Sequence, residues 1–221
     1  MASGSYEKDP YRVAKLILAL RQWGVTEPAL LNAVEALPRE PFLAPDLAEF
    51  AYEDVALPIP CGQIASPPPL AVAMIDALKL GTSRTMNVLE IGTGSGYMTA
   101  LLSRLSRRVN TLDRFRTLST QAQKRFDDLG LANITSHCSD GFDGWPQAAP
   151  FDRIISTCAL EDLPEAWSEQ VKPGGIILVP IGTNEDQRVL RFTKTPSGSM
   201  ASETLMPSNF LHLIAGVAKQ L

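Results

Sequence analysis

The sequence predicts an α/β fold: a doubly wound, mostly parallel sheet with helices at the N-terminus and antiparallel strands at the C-terminal edge. Between residues 86 and 179, apolar runs of strand length alternate with stretches of helical periodicity, as in parallel sheets covered on both faces. A glycine-rich turn follows the first apolar run. With 221 residues, 45% of them hydrophobic, the chain is long enough to bury the core of one such domain.

Before the alternating region, the sequence predicts two short amphipathic helices. Apolar residues at helical spacing indicate one from Tyr11 to Trp23, and a second with Thr26 as its N-cap that stops before Pro38. The segment from Pro38 to Pro69 contains eight prolines, which predict an irregular and stiff connection. Long irregular segments of this kind are often functional in compact domains. A helix over residues 70–80 is expected to follow.

The alternating region and the C-terminal part complete the predicted sheet. Five buried strands are predicted at residues 86–91, 108–112, 134–137, 151–156 and 176–179. Helices are predicted between them, at residues 97–105, 118–129 and 164–171. Extended segments then follow one another without helices, at residues 188–194, 202–206 and 209–214. Because no helix separates these segments, we expect them to pair as antiparallel strands.

The composition argues against several classes of protein. Twenty Lys and Arg against 24 Asp and Glu give a net charge of −4, which disfavours a nucleic-acid partner. No apolar run is long enough to span a bilayer, and the polar N-terminus does not resemble a secretory signal. Three cysteines without a CxxC pair, and two histidines without further ligands at metal spacing, predict neither disulfides nor a metal site. We therefore expect a cytoplasmic protein without a membrane partner.

The strongest local motif is the glycine loop after the first predicted strand. Gly92, Gly94 and Gly96 alternate between the strand and a helix, so the backbone can turn tightly and approach a ligand beside the helix N-terminus. The G-x-G-x-G spacing differs from the G-x-G-x-x-G of dinucleotide-binding proteins. Asp113 ends the next strand, about twenty residues on, where a carboxylate can accept hydrogen bonds from a ribose diol.

A third feature, Asp140-Gly141, follows the next strand, where it would flank an adenine. The three features together predict an adenosine-containing ligand. S-adenosyl-L-methionine needs no phosphate cradle, so the missing lysine of a phosphate-binding loop is compatible with this cofactor. A tight turn without any ligand remains the alternative for the glycine loop, and an ordinary turn remains the alternative for Asp140-Gly141. A nicotinamide-dependent enzyme is disfavoured by the glycine spacing.

Blocks along nearly the whole chain resemble the protein-L-isoaspartate (D-aspartate) O-methyltransferase family. They are Leu37-Pro-Arg-Glu40, Ala51-Tyr-Glu-Asp54, Leu57-Pro-Ile59, Gly62-Gln63, Val88-Leu-Glu-Ile-Gly-Thr-Gly-Ser-Gly-Tyr97, Asp140-Gly141, Gly144-Trp145-Pro146, Ala149-Pro-Phe-Asp-Arg-Ile-Ile155, Pro173-Gly-Gly and Val179-Pro-Ile-Gly182. The resemblance implies a Rossmann-like class I methyltransferase. It would move a methyl group from S-adenosyl-L-methionine to the free carboxyl of L-isoaspartyl residues in damaged proteins and peptides. Residues 1–221 then form one domain, with a substrate-side extension (10–80) and a cofactor-binding core (81–221).

The resemblance also implies roles for individual residues. The family's catalytic serine corresponds to Ser66, at the end of the proline-rich segment. Glu90, on the first strand, would orient the glycine loop or the amine of the methionine moiety. Ile64, Thr157 and Phe210 are candidate substrate contacts.

The chain departs from the family pattern on the substrate side. The family has a threonine two residues before the catalytic serine, where this chain has Ile64, and the usual glutamate of the second strand is Asp113. The family's C-terminal Val-Arg-Phe-Val-Pro-Leu reads Ser208-Asn-Phe-Leu-His-Leu213 here. Two alternatives therefore stay open: a methyltransferase of the same fold acting on another carboxylate, and a cofactor-binding protein with reduced activity. The oligomeric state is not predicted.

The chemistry suits a sequence without a catalytic base. A carboxylate acceptor has a pKa near 4 and is already ionised at neutral pH. Amine or catechol methylation would need a base or a metal, and the sequence offers no constellation for either. Methyl transfer from a sulfonium to a carboxylate also removes charge, so a dry site that aligns the reactants is sufficient. Ser66 can donate one of the hydrogen bonds that orient the carboxylate.

Overall fold

A seven-stranded sheet with helices on both faces dominates the computed structural model, which describes residues 9–219. Its strands, in chain order, are β3 (Asn87–Ile91), β4 (Arg108–Asp113), β5 (Ile134–Cys138), β6 (Phe151–Ser156), β7 (Val171–Gly182), β8 (Gln187–Lys194) and β9 (Met200–Pro207). A separate hairpin pairs β1 (Leu57–Ile59) with β2 (Gln63–Ala65). The six α-helices of the described residues are α1 (Pro10–Gln22), α2 (Pro28–Ala36), α3 (Pro68–Ala77), α4 (Tyr97–Leu105), α5 (Arg116–Asp128) and α6 (Glu165–Gln170).

The strand order β5-β4-β3-β6-β7-β8-β9 confirms the predicted fold class. Strands β3 to β7 are parallel, and β8 and β9 continue the sheet in antiparallel fashion. From the central β3 the chain first winds to one side through β4 and β5, and then crosses to β6 on the other side. Ligands of such sheets bind where the winding reverses, at the carboxyl ends of the strands. In this molecule that point lies between β3 and β6.

The two N-terminal helices form where the apolar periodicity places them. Asp9 caps α1, because its carboxylate accepts a hydrogen bond from the amide of Tyr11 at 3.0 Å. The predicted N-cap of α2, Thr26, is wrong. Pro28 occupies the first helical position, so the cap falls on Glu27, whose carboxylate accepts from the amide of Ala29 at 3.3 Å. The apolar faces of α1, α2 and α3 belong to the same buried cluster as α4 of the core.

The segment from Pro38 to Pro69 is irregular only in part. It contains two 3₁₀ turns, Glu40–Phe42 and Pro45–Phe50, and the hairpin formed by β1 and β2. Such short elements do not show the long periodicity that sequence patterns detect. The hairpin brings the end of this segment to the carboxyl edge of the central strands.

The predicted strand over residues 209–214 is wrong. Both edges of β8 are already taken, by β7 and β9, so this segment finds no free edge beside it. It crosses the carboxyl ends of the central strands, and its single bridge joins His212 to Ala159 in a parallel sense. We call residues 208–218 the C-terminal strap. None of the helices between residues 9 and 219 is long and apolar enough to cross a bilayer.

Candidate active site

A cavity of about 290 Å³ opens at the carboxyl ends of β3, β4 and β6, where the sheet topology predicts a ligand. One wall, the cofactor-side wall, consists of the glycine loop after β3 and the ends of β4 and β5. The opposite wall, the acceptor-side wall, consists of β2, the residues before α3 and the C-terminal strap. Eight predicted site residues line this cavity: Ile64, Ser66, Gly92, Gly94, Asp113, Gly141, Thr157 and Phe210.

The glycine loop is held in a shape that admits no side chain at two of its positions. Gly92 has φ +94°, and a Cβ there would lie 2.2 Å from the hydroxyl oxygen of Thr157. That hydroxyl donates to the carbonyl of Gly92 at 2.8 Å. At Gly96, with φ +90°, a Cβ would lie 2.8 Å from the ring of Phe126. Gly92 therefore borders the cavity, whereas Gly96 packs against α5 and is not part of the lining.

Asp113 fixes the glycine loop and also faces the cavity. One carboxylate oxygen accepts from the amide of Gly94 and the other from the amide of Phe115, both at 2.9 Å. Burial raises the pKa of Asp113, and the two backbone amides act in the opposite direction. Each oxygen keeps a further lone pair with which it can accept a hydroxyl hydrogen. The predicted contact with a ribose diol is therefore chemically available.

Glu90 supports the loop from beneath and is not part of the cavity lining. Its Oε2 accepts hydrogen bonds from the hydroxyls of Thr99 and Thr111, the latter at 2.7 Å. The Thr111 hydroxyl also lies 2.7 Å from that of Thr93 in the loop. Oε1 has no partner among residues 9–219, and burial raises the pKa of Glu90 to about 7. Of the two predicted roles, this geometry favours orientation of the loop over contact with the methionine amine.

The two residues of the Asp140-Gly141 turn have different positions relative to the cavity. Gly141 lines the cavity, and a Cβ there would lie 2.6 Å from Ile91. Asp140 is not part of the lining, and its carboxylate accepts from the amides of Phe142 at 2.9 Å and Gly216 at 2.6 Å. The carboxylate that we expected to flank an adenine thus fastens the C-terminal strap.

The acceptor-side wall presents one serine hydroxyl among largely apolar groups. Ser66 is half-buried, and its hydroxyl makes no hydrogen bond within the described part of the chain. Ile64 lies on the same wall with 50% of its surface exposed. Phe210 is buried in the strap, and Thr157 borders the cavity with its hydroxyl hydrogen already donated to the loop. Between residues 9 and 219, no group of three or more His, Cys, Asp or Glu side chains could hold a metal ion.

Comparison with known proteins identifies the family. The family model described as protein-L-isoaspartate(D-aspartate) O-methyltransferase matches residues 11–218. The chain belongs to this family. A relative from Xanthobacter autotrophicus, named protein-L-isoaspartate O-methyltransferase, is 46% identical over 222 residues and is matched over 100% of both chains. One from Parvibaculum lavamentivorans with the same name is 44% identical over 223 residues, which cover 100% of this chain and 97% of the relative.

One solved structure agrees with the family assignment, and a second agrees with the fold. A protein-L-isoaspartate O-methyltransferase superimposes with a TM-score of 0.82 at 28% identity, over 93% of this chain and 67% of that one. A putative protein-L-isoaspartate O-methyltransferase from Plasmodium falciparum, in complex with S-adenosyl-L-homocysteine, gives a TM-score of 0.79 at 18% identity. That match covers 94% of this chain and 99% of the other, and it supports the fold.

Sequence reasoning missed two buried polar residues of this isoaspartate methyltransferase family member. Arg39 donates to the carbonyl of Ser66 at 2.8 Å. The side chain of Gln187 accepts from the amide of Phe210 at 2.6 Å and donates to its carbonyl at 3.0 Å. Arg39 lies within a block that resembles the family, but nothing in its spacing indicates a partner 27 residues away. Gln187 carries no sequence signal at all.

Proposed function

We propose that this chain is an S-adenosyl-L-methionine-dependent methyltransferase that esterifies the free carboxyl of L-isoaspartyl residues in damaged proteins and peptides, a protein-repair reaction. One observation carries the proposal: a single cavity joins a glycine loop braced by Asp113 to a wall that presents the free hydroxyl of Ser66. Family membership supplies the substrate class. Three unpaired cysteines are typical of a reducing compartment, which supports a cytoplasmic location.

The residues of the cofactor-side wall fit S-adenosyl-L-methionine. Asp113 offers carboxylate oxygens to a ribose diol, and Phe115 and Leu118 provide apolar surface for a base. Gly92 and Gly94 leave room beside the backbone, and no lysine is part of the lining. The arginine of the lining, Arg114, donates to the carbonyl of Gly216 at 3.2 Å and lies over the ring of Phe115, so its guanidinium already has partners within the chain. When bound, this cofactor supplies a methyl group activated by a positively charged sulfur. The protein therefore has to bind and align both reactants and exclude water.

Ser66 is the residue best placed to orient the acceptor. The three residues after it, Pro67, Pro68 and Pro69, have no amide hydrogen, so few backbone donors are available at this point of the wall. The hydroxyl of Ser66 can donate to one oxygen of an ionised carboxylate, and the positive end of α3 begins next to it. No proton has to be removed from the acceptor, since its carboxyl is ionised at neutral pH. Ser66 thus acts by orientation and not as a base.

The remaining wall residues are proposed to contact the peptide. Ile64 and Phe210 offer apolar surface at the mouth and in the strap, respectively. Thr157 has already donated its hydroxyl hydrogen to Gly92, so that toward a substrate its oxygen can serve only as an acceptor. The wall therefore offers the hydroxyl of Ser66 to the acceptor carboxylate, and it offers apolar surface and the side-chain amides of Gln63 and Asn209 to the neighbouring peptide groups.

The test compares an isoaspartyl peptide with its normal aspartyl twin, using cofactor labelled on the methyl group. We expect label only in the isoaspartyl peptide. A hydrogen bond to a charged group contributes roughly 1.5–3 kcal/mol, so Ser66→Ala should lower kcat by about tenfold to a hundredfold. Cofactor affinity, measured by calorimetry, should not change. Equal or absent labelling of the two peptides by the wild-type protein would reject the proposed substrate.

A further inference from the structure

A buried arginine connects the two walls of the cavity without lining it. Arg39 is 1% exposed, and its guanidinium donates to the carbonyls of Ala51 at 2.6 Å and Ser66 at 2.8 Å. The same guanidinium lies over the ring of Tyr97, with its central carbon 5.5 Å from the ring centroid. Tyr97 is the first residue of α4 and directly follows the glycine loop. One side chain thus touches the backbone of the acceptor-side wall and the helix that begins at the cofactor-side wall.

The burial of Arg39 destabilises the fold relative to an apolar side chain that would fill the same space. No carboxylate forms an ion pair with Arg39 within residues 9–219, and burial lowers the pKa of its guanidinium. The nearby carboxylate of Glu40 instead accepts the hydroxyl hydrogen of Tyr52 at 2.7 Å. Burying a guanidinium whose hydrogen bonds go only to carbonyls is costly even with the attraction of the nearby Glu40 carboxylate, and an apolar side chain of similar volume would avoid that cost.

Two buried polar atoms beside this contact make the cost larger. The Nε of Arg39 and the hydroxyl of Tyr97 have no hydrogen-bond partner in the described part of the chain. Native proteins leave few buried polar atoms unpaired, and such exceptions are frequent where position matters more than stability. The hydrogen bond of the guanidinium fixes the carbonyl of Ser66, the residue whose hydroxyl faces the cavity.

We propose that Arg39 is a positioning residue for the methyl transfer. Resting on the proposed function, this inference assigns to Arg39 the task of fixing Ser66 relative to the glycine loop through its contact with Tyr97. Arg39 touches neither the acceptor nor the cofactor, since it does not line the cavity. Loss of the Arg39 side chain should therefore lower kcat, because the reactants are less well aligned, and should leave the affinity for the cofactor unchanged. Misplacement of a reacting group by about 1 Å can cost up to a hundredfold in rate.

The experiment compares Arg39→Met with a matched variant, Arg153→Met. Arg153 also donates only to carbonyls, those of Leu78 at 2.6 Å, Asp152 at 2.7 Å and Lys79 at 3.1 Å, but it lies outside the cavity lining. We expect Arg39→Met to lower kcat by about tenfold to a hundredfold with unchanged cofactor affinity, and Arg39→Lys to recover part of that loss. Arg153→Met should leave kcat unchanged. Urea unfolding of each variant verifies that it is folded at the assay temperature.

A double variant separates positioning from general loosening. If Arg39 acts through Ser66, then adding Arg39→Met to Ser66→Ala should lower kcat by less than twofold. A full additional loss in the double variant, or an unchanged kcat in Arg39→Met alone, would overturn the inference. Amide hydrogen exchange gives a readout that does not depend on turnover. The amides of residues 63–66, 70 and 71 should exchange faster in Arg39→Met and not in Arg153→Met, and equal exchange would overturn the inference even if the wild-type protein proved inactive toward isoaspartyl peptides.

Discussion

The two walls of the cavity are held together by different means. On the cofactor-side wall, the glycine loop is bonded directly to the neighbouring strand: the amides of Gly92 and Thr93 both donate to the carbonyl of Leu112, at 2.8 and 3.1 Å, and the carboxylate of Asp113 accepts from the amide of Gly94. On the acceptor-side wall, irregular backbone is held by the side chains of Arg39 and Gln187. The first wall is therefore held by the strand next to it, through backbone and side chain together, whereas the second depends on side chains from distant parts of the sequence.

Because of this difference, substitutions on the two walls should have different effects. The cofactor-side wall follows directly from β3 and β4, so a change there alters the shape of the loop itself. The acceptor-side wall is assembled from residues that are 23 to 76 positions apart, as in the contacts of Gln187 with Phe210 and of Asp140 with Gly216. We expect changes on the cofactor-side wall to abolish cofactor binding, and changes on the acceptor-side wall to affect turnover or the peptide KM.

The largest effect is expected for Gly92→Ala. The added Cβ would lie 2.2 Å from the hydroxyl oxygen of Thr157 and 3.1 Å from the sulfur of Cys158, at a backbone φ of +94°. The backbone strain alone costs on the order of 1–3 kcal/mol, and the overlap forces the loop to shift. Cofactor affinity, measured by calorimetry, should fall by at least about a hundredfold.

The control for this substitution is Gly81→Ala. Gly81 has φ +66°, also in the left-handed region, but a Cβ there meets nothing within 4 Å. The free energy of unfolding of the Gly81→Ala protein should fall because of backbone strain, while its affinity for the cofactor stays that of the wild type. Adding Thr157→Ala to Gly92→Ala removes the overlapping oxygen and should restore part of the affinity. A Gly92→Ala protein that binds the cofactor normally would show that the glycine loop can shift to accommodate the added Cβ without loss of the cofactor site.

A second, smaller effect concerns the buried carboxylate beneath the loop. Burial raises the pKa of Glu90 to about 7 from its ordinary value of 4.5, so the folded protein binds this proton more tightly than the unfolded chain. The resulting stabilisation is fully present below pH 4.5 and is lost as the pH rises through about 7. Each unit of pKa difference corresponds to about 1.4 kcal/mol, so the loss is on the order of 3 kcal/mol.

Glu90→Gln isolates this contribution, because glutamine stays neutral. The free energy of unfolding of the wild type, relative to that of the variant, should decrease by up to about 3 kcal/mol between pH 5 and pH 8. Urea unfolding at several pH values measures it. The pKa of Asp113 is also raised, but that carboxylate is present in both proteins and so largely cancels in the comparison. A difference that does not vary with pH would mean that Glu90 is ionised throughout.

The same difference between the two walls explains which elements and site residues can be predicted from the sequence. The bounds of α4 and β6 agree with the predicted ranges, since contiguous apolar patterns specify them. The glycine loop and Asp113 were predicted for the same reason, because a strand, a turn and a strand end lie near one another in sequence. The spacing of a motif does not say which side chain turns into a cavity. For that reason Glu90, Gly96 and Asp140 were predicted as cofactor contacts, although none of them lines the cavity.

The acceptor-side wall was predicted only through family resemblance. Ser66 lines the cavity as that resemblance implies, but the contact that holds its carbonyl comes from Arg39, far away in the chain. The segment over residues 209–214 has the alternation of a strand, yet the side chain of Gln187 replaces a neighbouring strand as its hydrogen-bond partner. A pattern of apolar residues cannot distinguish these two situations, since the backbone is extended in both.

The smallest effect is expected for Gln187→Leu, which removes the side-chain clamp on the strap. The amide and carbonyl of Phe210 would lose their partners in a buried environment, which costs roughly 1–3 kcal/mol. Other anchors remain, since the carboxylate of Asp140 accepts from the amide of Gly216 and the carbonyl of Arg114 accepts from the amide of Ala218. Leu211 and Leu213 still bond to the backbone of Ala159. The strap should therefore loosen without detaching, and the peptide KM should rise about tenfold while cofactor affinity stays within about twofold.

Gln187→Glu is the sharper test of this clamp. A carboxylate at this position can still accept from the amide of Phe210, but it places negative charge against the carbonyl that the glutamine amide served as donor. If both hydrogen bonds hold the strap, then this variant should raise the peptide KM although its shape is almost that of glutamine. Steady-state kinetics at varied peptide concentration measures the change. An unchanged peptide KM in both variants would mean that the remaining contacts of the strap, with Ala159, Asp140 and Arg114, suffice to hold it, and that the side chain of Gln187 does not determine the shape of the acceptor-side wall.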